Sequence, residues 1–384
     1  MPYLDHNATS PLRPEARSAM ERAFDIHGNA SATHASGRAA RALIEEARHE
    51  VANLANARPE EVTFTSGGTE ANALALWGAV QGAADAGAPI ERLFVSAIEH
   101  DSVLNTAASI FHRIPGIRRA DIPATRTGLV EFDALRQLLG KGGERVFVAV
   151  MAANNETGVI QPFADVAKLV RDAGGLCLID AVQACGKVAT DFAVLDADYL
   201  TLSAHKLGGP QGIGALVTKK SAPVAAQILG GSQERGRRAG TENLLGIAGF
   251  GAAARAAGNR DDSRLVALRD RFETGLRRRF PNTVVFGKDA KRLGNTSYFA
   301  LPGIPAETAV IALDLDGVMV SSGAACSSGK ARPSHVLKAM GVPADLTASA
   351  LRVSLGWNST ESDVDAALIS LEKLSGRITA RRVA

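Results

Sequence analysis

Short apolar runs rich in Val, Leu and Phe recur along the first two thirds of the chain and alternate with longer stretches of helical periodicity. Five runs read as strands, at residues 92–97, 145–150, 176–180, 199–203 and 214–218, with helices expected at about 69–86, 101–112, 131–140 and 162–173. That alternation predicts an α/β fold: a mostly parallel sheet flanked by helices. Near residues 256–262 the pattern softens, and shorter elements follow. Strands are expected near 283–286, 295–301, 317–321 and 350–355, and helices at 263–279 and near 305–313, 333–340 and 361–376. The expected organisation is an N-terminal segment, 1–15, packing with a smaller C-terminal α/β domain, 258–384, and a large domain at 16–257.

The polar residues fall at particular places in this pattern. Glu99 and His100 follow the first run, Asn154, Asn155 and Glu156 the second, and Ser203, Ala204, His205 and Lys206 the fourth. Asp180 ends the third run, with Gln183 one turn beyond. Ligands of open α/β sheets sit at the carboxyl ends of the strands, so these groups are expected to share one crevice. The segment Thr65-Ser-Gly-Gly-Thr69 runs into a predicted helix and offers backbone N–H groups at its start, an arrangement suited to phosphate.

Composition narrows the classes of function. The 384 residues are 46% hydrophobic, enough for real cores, and 43 basic against 40 acidic residues give a formal charge of +3 without basic blocks. Neither nucleic acid nor a membrane is expected as a partner, and with no signal-like N-terminus the protein is expected in the cytoplasm. Three cysteines, Cys177, Cys185 and Cys326, are too few and too irregularly spaced for a disulfide framework or a zinc site. Cys177 lies inside an apolar run and Cys185 just past Asp180, so both read as small buried fillers. Cys326 sits among small residues, SSGAACSSGK, which cannot pack a core and read as a mobile loop.

A phosphate cup, a carboxylate, a lysine and a histidine at one crevice suit pyridoxal 5′-phosphate (PLP). Lys206 would form the imine, Asp180 would pair with the pyridinium nitrogen, and His100 could lie over the ring. Asn155 and Gln183 are suitable hydrogen-bond donors for the ring oxygen. Each feature alone has a plainer reading: a helix cap, a turn glycine, a solvated lysine. Their joint order, with 26 positions from Asp180 to Lys206, points to the cofactor.

The motifs that carry this order are YLDHNAT (3–9), TSGGTE (65–70), EHDSV (99–103), NNETG (154–158), DAVQ (180–183), SAHK (203–206), QERGRRAGTEN (233–243), SGAACSSG (322–329) and LRVSLGW (351–357). With them the chain resembles the class V, fold-type I PLP enzymes, specifically the cysteine desulfurases of the NifS/IscS type. The resemblance implies Lys206 as the Schiff-base lysine, His100 stacked on the ring and Asp180 on its nitrogen. It places Gly68, Thr69, Ser203 and His205 around the phosphate, with Asn155 and Gln183 near the ring oxygen. Thr241 would reach the phosphate site of the neighbouring subunit in a homodimer. Arg352 would hold the substrate carboxylate together with Asn155. Cys326 would take sulfur from L-cysteine as a persulfide and pass it to an acceptor or iron–sulfur scaffold protein. No resident metal is implied, although Cys326 could be a transient iron–sulfur ligand. A selenocysteine lyase or an aminotransferase of the same class, or a non-catalytic sulfur-transfer scaffold, remain the alternatives.

Overall fold

The apolar runs assemble into two sheets in the computed structural model, which describes residues 1–140, 142–258, 262–323 and 333–383. The larger sheet contains β1 (Val62–Thr65), β2 (Arg92–Ser96), β3 (Arg118–Ile122), β4 (Val146–Met151), β5 (Leu176–Asp180), β6 (Tyr199–Ser203) and β7 (Gly214–Thr218). Their order is β1-β7-β6-β5-β4-β2-β3. Only β7 runs against its neighbours; the remaining pairs are parallel.

Side chains alternate across a strand, so a run of consecutive apolar residues can serve two cores at once. In β4, Val146, Val148 and Val150 join Ile179, Leu200 and Val217 in one cluster, whereas Phe147 and Ala149 join Leu178, Tyr199 and Leu216 in another. The helices accompanying this sheet are α1 (Pro14–Ala23), α2 (Ala35–Ala55), α3 (Gly68–Asp85), α4 (Asp101–Arg113), α5 (Phe132–Leu139), α6 (Phe163–Asp172) and α7 (Leu244–Gly258). Ile44 and Val51 of α2, Val170 of α6 and Phe250 of α7 fill the first cluster; Leu74 of α3 and Ile110 of α4 fill the second.

The smaller sheet is antiparallel and consists of β8 (Val284–Val285), β9 (Thr296–Ala300) and β10 (Ala350–Ser354), in the order β10-β9-β8. Around it lie α8 (Ser263–Arg279), α9 (Ala306–Leu315), α10 (His335–Ala339), α11 (Ala344–Ala348) and α12 (Glu361–Val383). The same alternation recurs here. Phe299 packs with Phe272 of α8, Leu313 of α9 and Leu371 of α12, while Tyr298 and Ala300 pack with Val336 and Leu337 of α10.

Residues 3–10 cross from one sheet to the other. Leu4 is fully buried in the smaller sheet's core, its N–H donates to Met319 O (2.9 Å) and its carbonyl accepts from Ser354 N (2.8 Å). Six residues later, Ser10 N donates to His205 O (2.8 Å), beyond the end of β6.

The expected strand at 317–321 does not form. Met319 and Ser321 make only isolated bridges, to Tyr3 and Arg352, because each meets a different partner and no continuous ladder can run between them. Three helices (α1, α2, α7), the short α11 and the strands β1 and β3 were absent from the sequence expectation. The edge strand β3, Arg-Arg-Ala-Asp-Ile, carries charges in place of an apolar run, as exposed edges commonly do.

Candidate active site

A cavity of about 350 Å³ opens at the carboxyl ends of β4, β5 and β6. Ten of the residues singled out in the sequence line it. Gly68 and Thr69 come from the first turn of α3, His100 from the N-cap of α4, and Asn155 from the turn after β4. Asp180 ends β5 and Gln183 follows it; Ser203, His205 and Lys206 follow from β6; Arg352 reaches in from β10. Thr241 is exposed and does not line this cavity, and Cys326 lies outside the described residues. Gly323, just before the undescribed stretch, does line it.

The first turn of α3 shows why it opens on Gly68. A Cβ on Gly68 would come within 2.9 Å of Val182 Cγ2, so only glycine keeps this corner open. The turn is held from outside: Glu70 accepts from Ser66 N (2.8 Å) and from Arg238 Nε (2.9 Å).

Asp180 is buried and anchored at both oxygens. Its Oδ1 accepts from Val182 N (2.9 Å) and its Oδ2 from Asn72 Nδ2 (2.8 Å). The same Asn72 amide nitrogen donates to Ser102 Oγ (2.9 Å), and Asn72 Oδ1 accepts from Thr201 Oγ1 (2.8 Å). Ser102 in turn meets His100 Nδ1 twice, through its hydroxyl (2.8 Å) and its backbone N–H (3.1 Å). A backbone N–H can only donate, so Nδ1 is the acceptor and a neutral His100 carries its proton on Nε2. Beneath this chain lies Glu99, fully buried, with Oε1 accepting from Met151 N (2.7 Å). Burial, aided by the Asp180 charge, pushes its carboxyl well above the usual range.

Lys206 Nζ donates to two backbone carbonyls, Asn7 O and Ala8 O, at 2.6 Å each. Burial and, next, the Arg352 charge lower its pKa to about 8. A substantial neutral fraction is therefore available near physiological pH. His205, half-buried beside it, is lowered to about 4 by burial and by the two nearby lysines, Lys206 and Lys187, and so stands neutral.

Arg352 faces the cavity from the smaller sheet, almost wholly buried. Its Nη1 donates to Asn155 O (2.9 Å) and its Nη2 to Asp5 Oδ1 (2.7 Å), while its Nε is buried without a partner among the described residues. The sequence marks Arg352 but not what fixes it. Asp5, Asn7, Asn72 and Ser102 all lie inside or beside motifs already singled out, yet the contribution of Asn7 to Lys206 is its backbone carbonyl, which leaves no mark on side-chain pattern.

Residues 2–367 match the family described as aminotransferase class-V. The chain belongs to the class-V aminotransferases, PLP-dependent enzymes, and within them to the cysteine desulfurases of the NifS/IscS type. It is 38% identical over 389 residues to an IscS-like cysteine desulfurase of Mycobacterium tuberculosis, covering 100% of this chain and 98% of that one. A cysteine desulfurase of Cereibacter sphaeroides is 42% identical over 381 residues, covering 98% and 96%. The crystal structure of a NifS-like protein from Rickettsia africae superposes with a TM-score of 0.87 at 32% identity, covering 98% and 99%.

The residues present fit PLP. Gly68 preserves space at a helix start where a phosphate would be favoured, Asp180 offers a buried carboxylate, and Lys206 presents an amine bound, among the described residues, to neutral carbonyls.

Proposed function

We propose that this protein removes sulfur from L-cysteine, releasing L-alanine and leaving the sulfur as a persulfide on Cys326 for transfer to an acceptor protein, in iron–sulfur cluster or other sulfur-cofactor synthesis. The observation that carries the reading is the single cavity that holds Lys206, Asp180, His100, Gln183 and Arg352 together. When bound, PLP supplies the electron sink for loss of the α-proton and cleavage of the Cβ–S bond.

This chain's own residues do the rest. Gly68, Thr69, Ser203 and His205 hold the phosphate, Asp180 the ring nitrogen, and Asn155 and Gln183 the ring oxygen, with His100 against the ring. Arg352, with Asn155, clamps the substrate carboxylate and so aims the α-proton at Lys206, which removes it. His100, with its transferable proton on Nε2, serves proton exchange. Attack by the Cys326 thiolate forms an S–S bond as the Cβ–S bond breaks; the electron pair left on carbon is protonated to give alanine. Thr241, exposed on this chain, completes the phosphate site of a second subunit in a homodimer. The N-terminal segment 1–15 and the region 258–384 act as one small domain against 16–257. No helix among the described residues is long and apolar enough to cross a membrane, and we place the enzyme in the cytoplasm.

The test is turnover of L-cysteine by the PLP-loaded protein, following alanine and persulfide together. Lys206→Ala is expected to lose at least about 10³-fold in kcat, and Cys326→Ala to lose persulfide formation. Full alanine and sulfide production by Cys326→Ala would overturn the scheme.

A further inference from the structure

Behind Gln183 stands a lysine that the proposed reaction does not use. Lys187 lies in the turn after β5 and is half-buried, lining a cleft of about 200 Å³ that Lys206 also borders. Its ammonium makes two hydrogen bonds among the described residues, and both end on Gln183: one on the backbone carbonyl (3.1 Å), one on the side-chain Oε1 (3.0 Å). The other end of that amide, Nε2, donates to Asn7 O (2.9 Å), the carbonyl that also receives Lys206.

This arrangement settles which way round the amide faces. A protonated lysine can only donate, so it accepts nothing but the oxygen end of Gln183 as its partner. Asn7 O can only accept, so it takes the nitrogen end. An amide nitrogen carries two hydrogens, and Asn7 O uses one; the second remains for the cavity that Gln183 lines. Without Lys187, one of the two constraints on the amide disappears, and a flipped amide would turn its oxygen toward the cavity.

We propose that Lys187 is a positioning residue, fixing the Gln183 amide so that an N–H, and not a carbonyl, faces the ring oxygen of PLP. The inference rests on reading the cavity as a PLP site. The other ionisable groups acting on this ammonium are Lys206, Arg352, Asp262 and Cys185, and His6, Arg13 and Arg264 border the same cleft. Burial and Lys206 lower the Lys187 pKa to about 7, so the hold on Gln183 is itself strongest below neutrality.

The experiment is a pH titration of the visible absorption band of the PLP-loaded enzyme, which needs no turnover. A hydrogen bond donated to the ring oxygen stabilises its anionic form, and losing it is expected to move the midpoint of Lys187→Met upward by about 0.5–1 pH unit. Lys187→Arg should restore the wild-type midpoint, and so should Lys187→Gln, which keeps a donor but drops the charge. In a Gln183→Leu background, Lys187→Met should add nothing. An unchanged midpoint in Lys187→Met, a shift of equal size in the Gln183→Leu background, or a shift in Lys187→Gln as large as in Lys187→Met overturns the inference. Absence of any visible band from wild-type protein incubated with PLP overturns the reading of the cavity itself, and is thereby distinguished from failure of the Lys187 assignment.

Discussion

On the side of the cavity built by the seven-stranded sheet, Asp180, Asn72, Ser102 and His100 are joined in one chain of hydrogen bonds. On the opposite side, the three-stranded sheet contributes Arg352, held at Nη1 and Nη2 but with its buried Nε unpaired among the described residues. The first side is braced before any ligand arrives, and a connected polar network resists movement. The second keeps donor capacity in reserve, which is what recognition of an incoming carboxylate demands. One half of the site is a fixed bed; the other half is a grip.

Three changes would break or sharpen that contrast. The largest effect is expected at the grip. Arg352→Ala should lower kcat/KM for L-cysteine by about 10²–10³-fold, through loss of a bidentate partner and of orientation, while leaving the visible spectrum of bound PLP close to wild type. If the spectrum changes as much as the rate, the two sides are not separate. Next, Asn72→Ala should cost the cofactor-free protein about 2–3 kcal/mol in urea unfolding, because Ser102, Thr201 and Asp180 lose a buried partner at once. A cost below about 0.5 kcal/mol would mean that water replaces the amide and that Asn72 does not brace the bed.

The smallest effect is a pH dependence. Glu99 has a folded-state pKa above its unfolded value, so the folded protein binds this proton more tightly; the stability it contributes is full below about pH 4.5 and is lost as pH rises through the folded value. Glu99→Gln keeps an acceptor for Met151 N but cannot ionise. Its melting temperature should match wild type near pH 4.5 and exceed it increasingly toward pH 8. A constant difference across that range would show that Glu99 titrates alike in the folded and unfolded protein.

The bed was more legible in the sequence than the grip's supports, for a physical reason. Asp180, Lys206 and His100 each follow a run of apolar residues, and a sharp change from apolar to charged at a strand end is visible without a structure. Asn72 and Ser102 sit on helix faces turned to the core, where a lone small polar residue looks like filler; what distinguishes Asn72 is its partners, which are 30 to 129 positions away. Arg352 was visible as an arginine in an apolar strand, but its anchor Asp5 lies 347 positions earlier. Helix α7, Leu-Leu-Gly-Ile-Ala-Gly-Phe-Gly and onward, is apolar on nearly every side and so shows no helical period to read. The strand expected at 317–321 had the right composition and failed for want of a continuous neighbour, which composition cannot report.

The strap at residues 3–10 has a consequence for how the protein comes to be made. These residues leave the ribosome ahead of every element they bind, and the carbonyls that receive Lys206 belong to them. Leu4 finds its backbone partners only when Met319 and Ser354 have been synthesised, more than 300 positions later. The seven-stranded sheet can therefore close around its two cores early in translation, while the lysine just beyond β6 waits for both ends of the chain to meet. A nascent chain halted before β10 would hold most of the bed and none of the grip, and a protein assembled in that order has no finished active site until its last strand is in place.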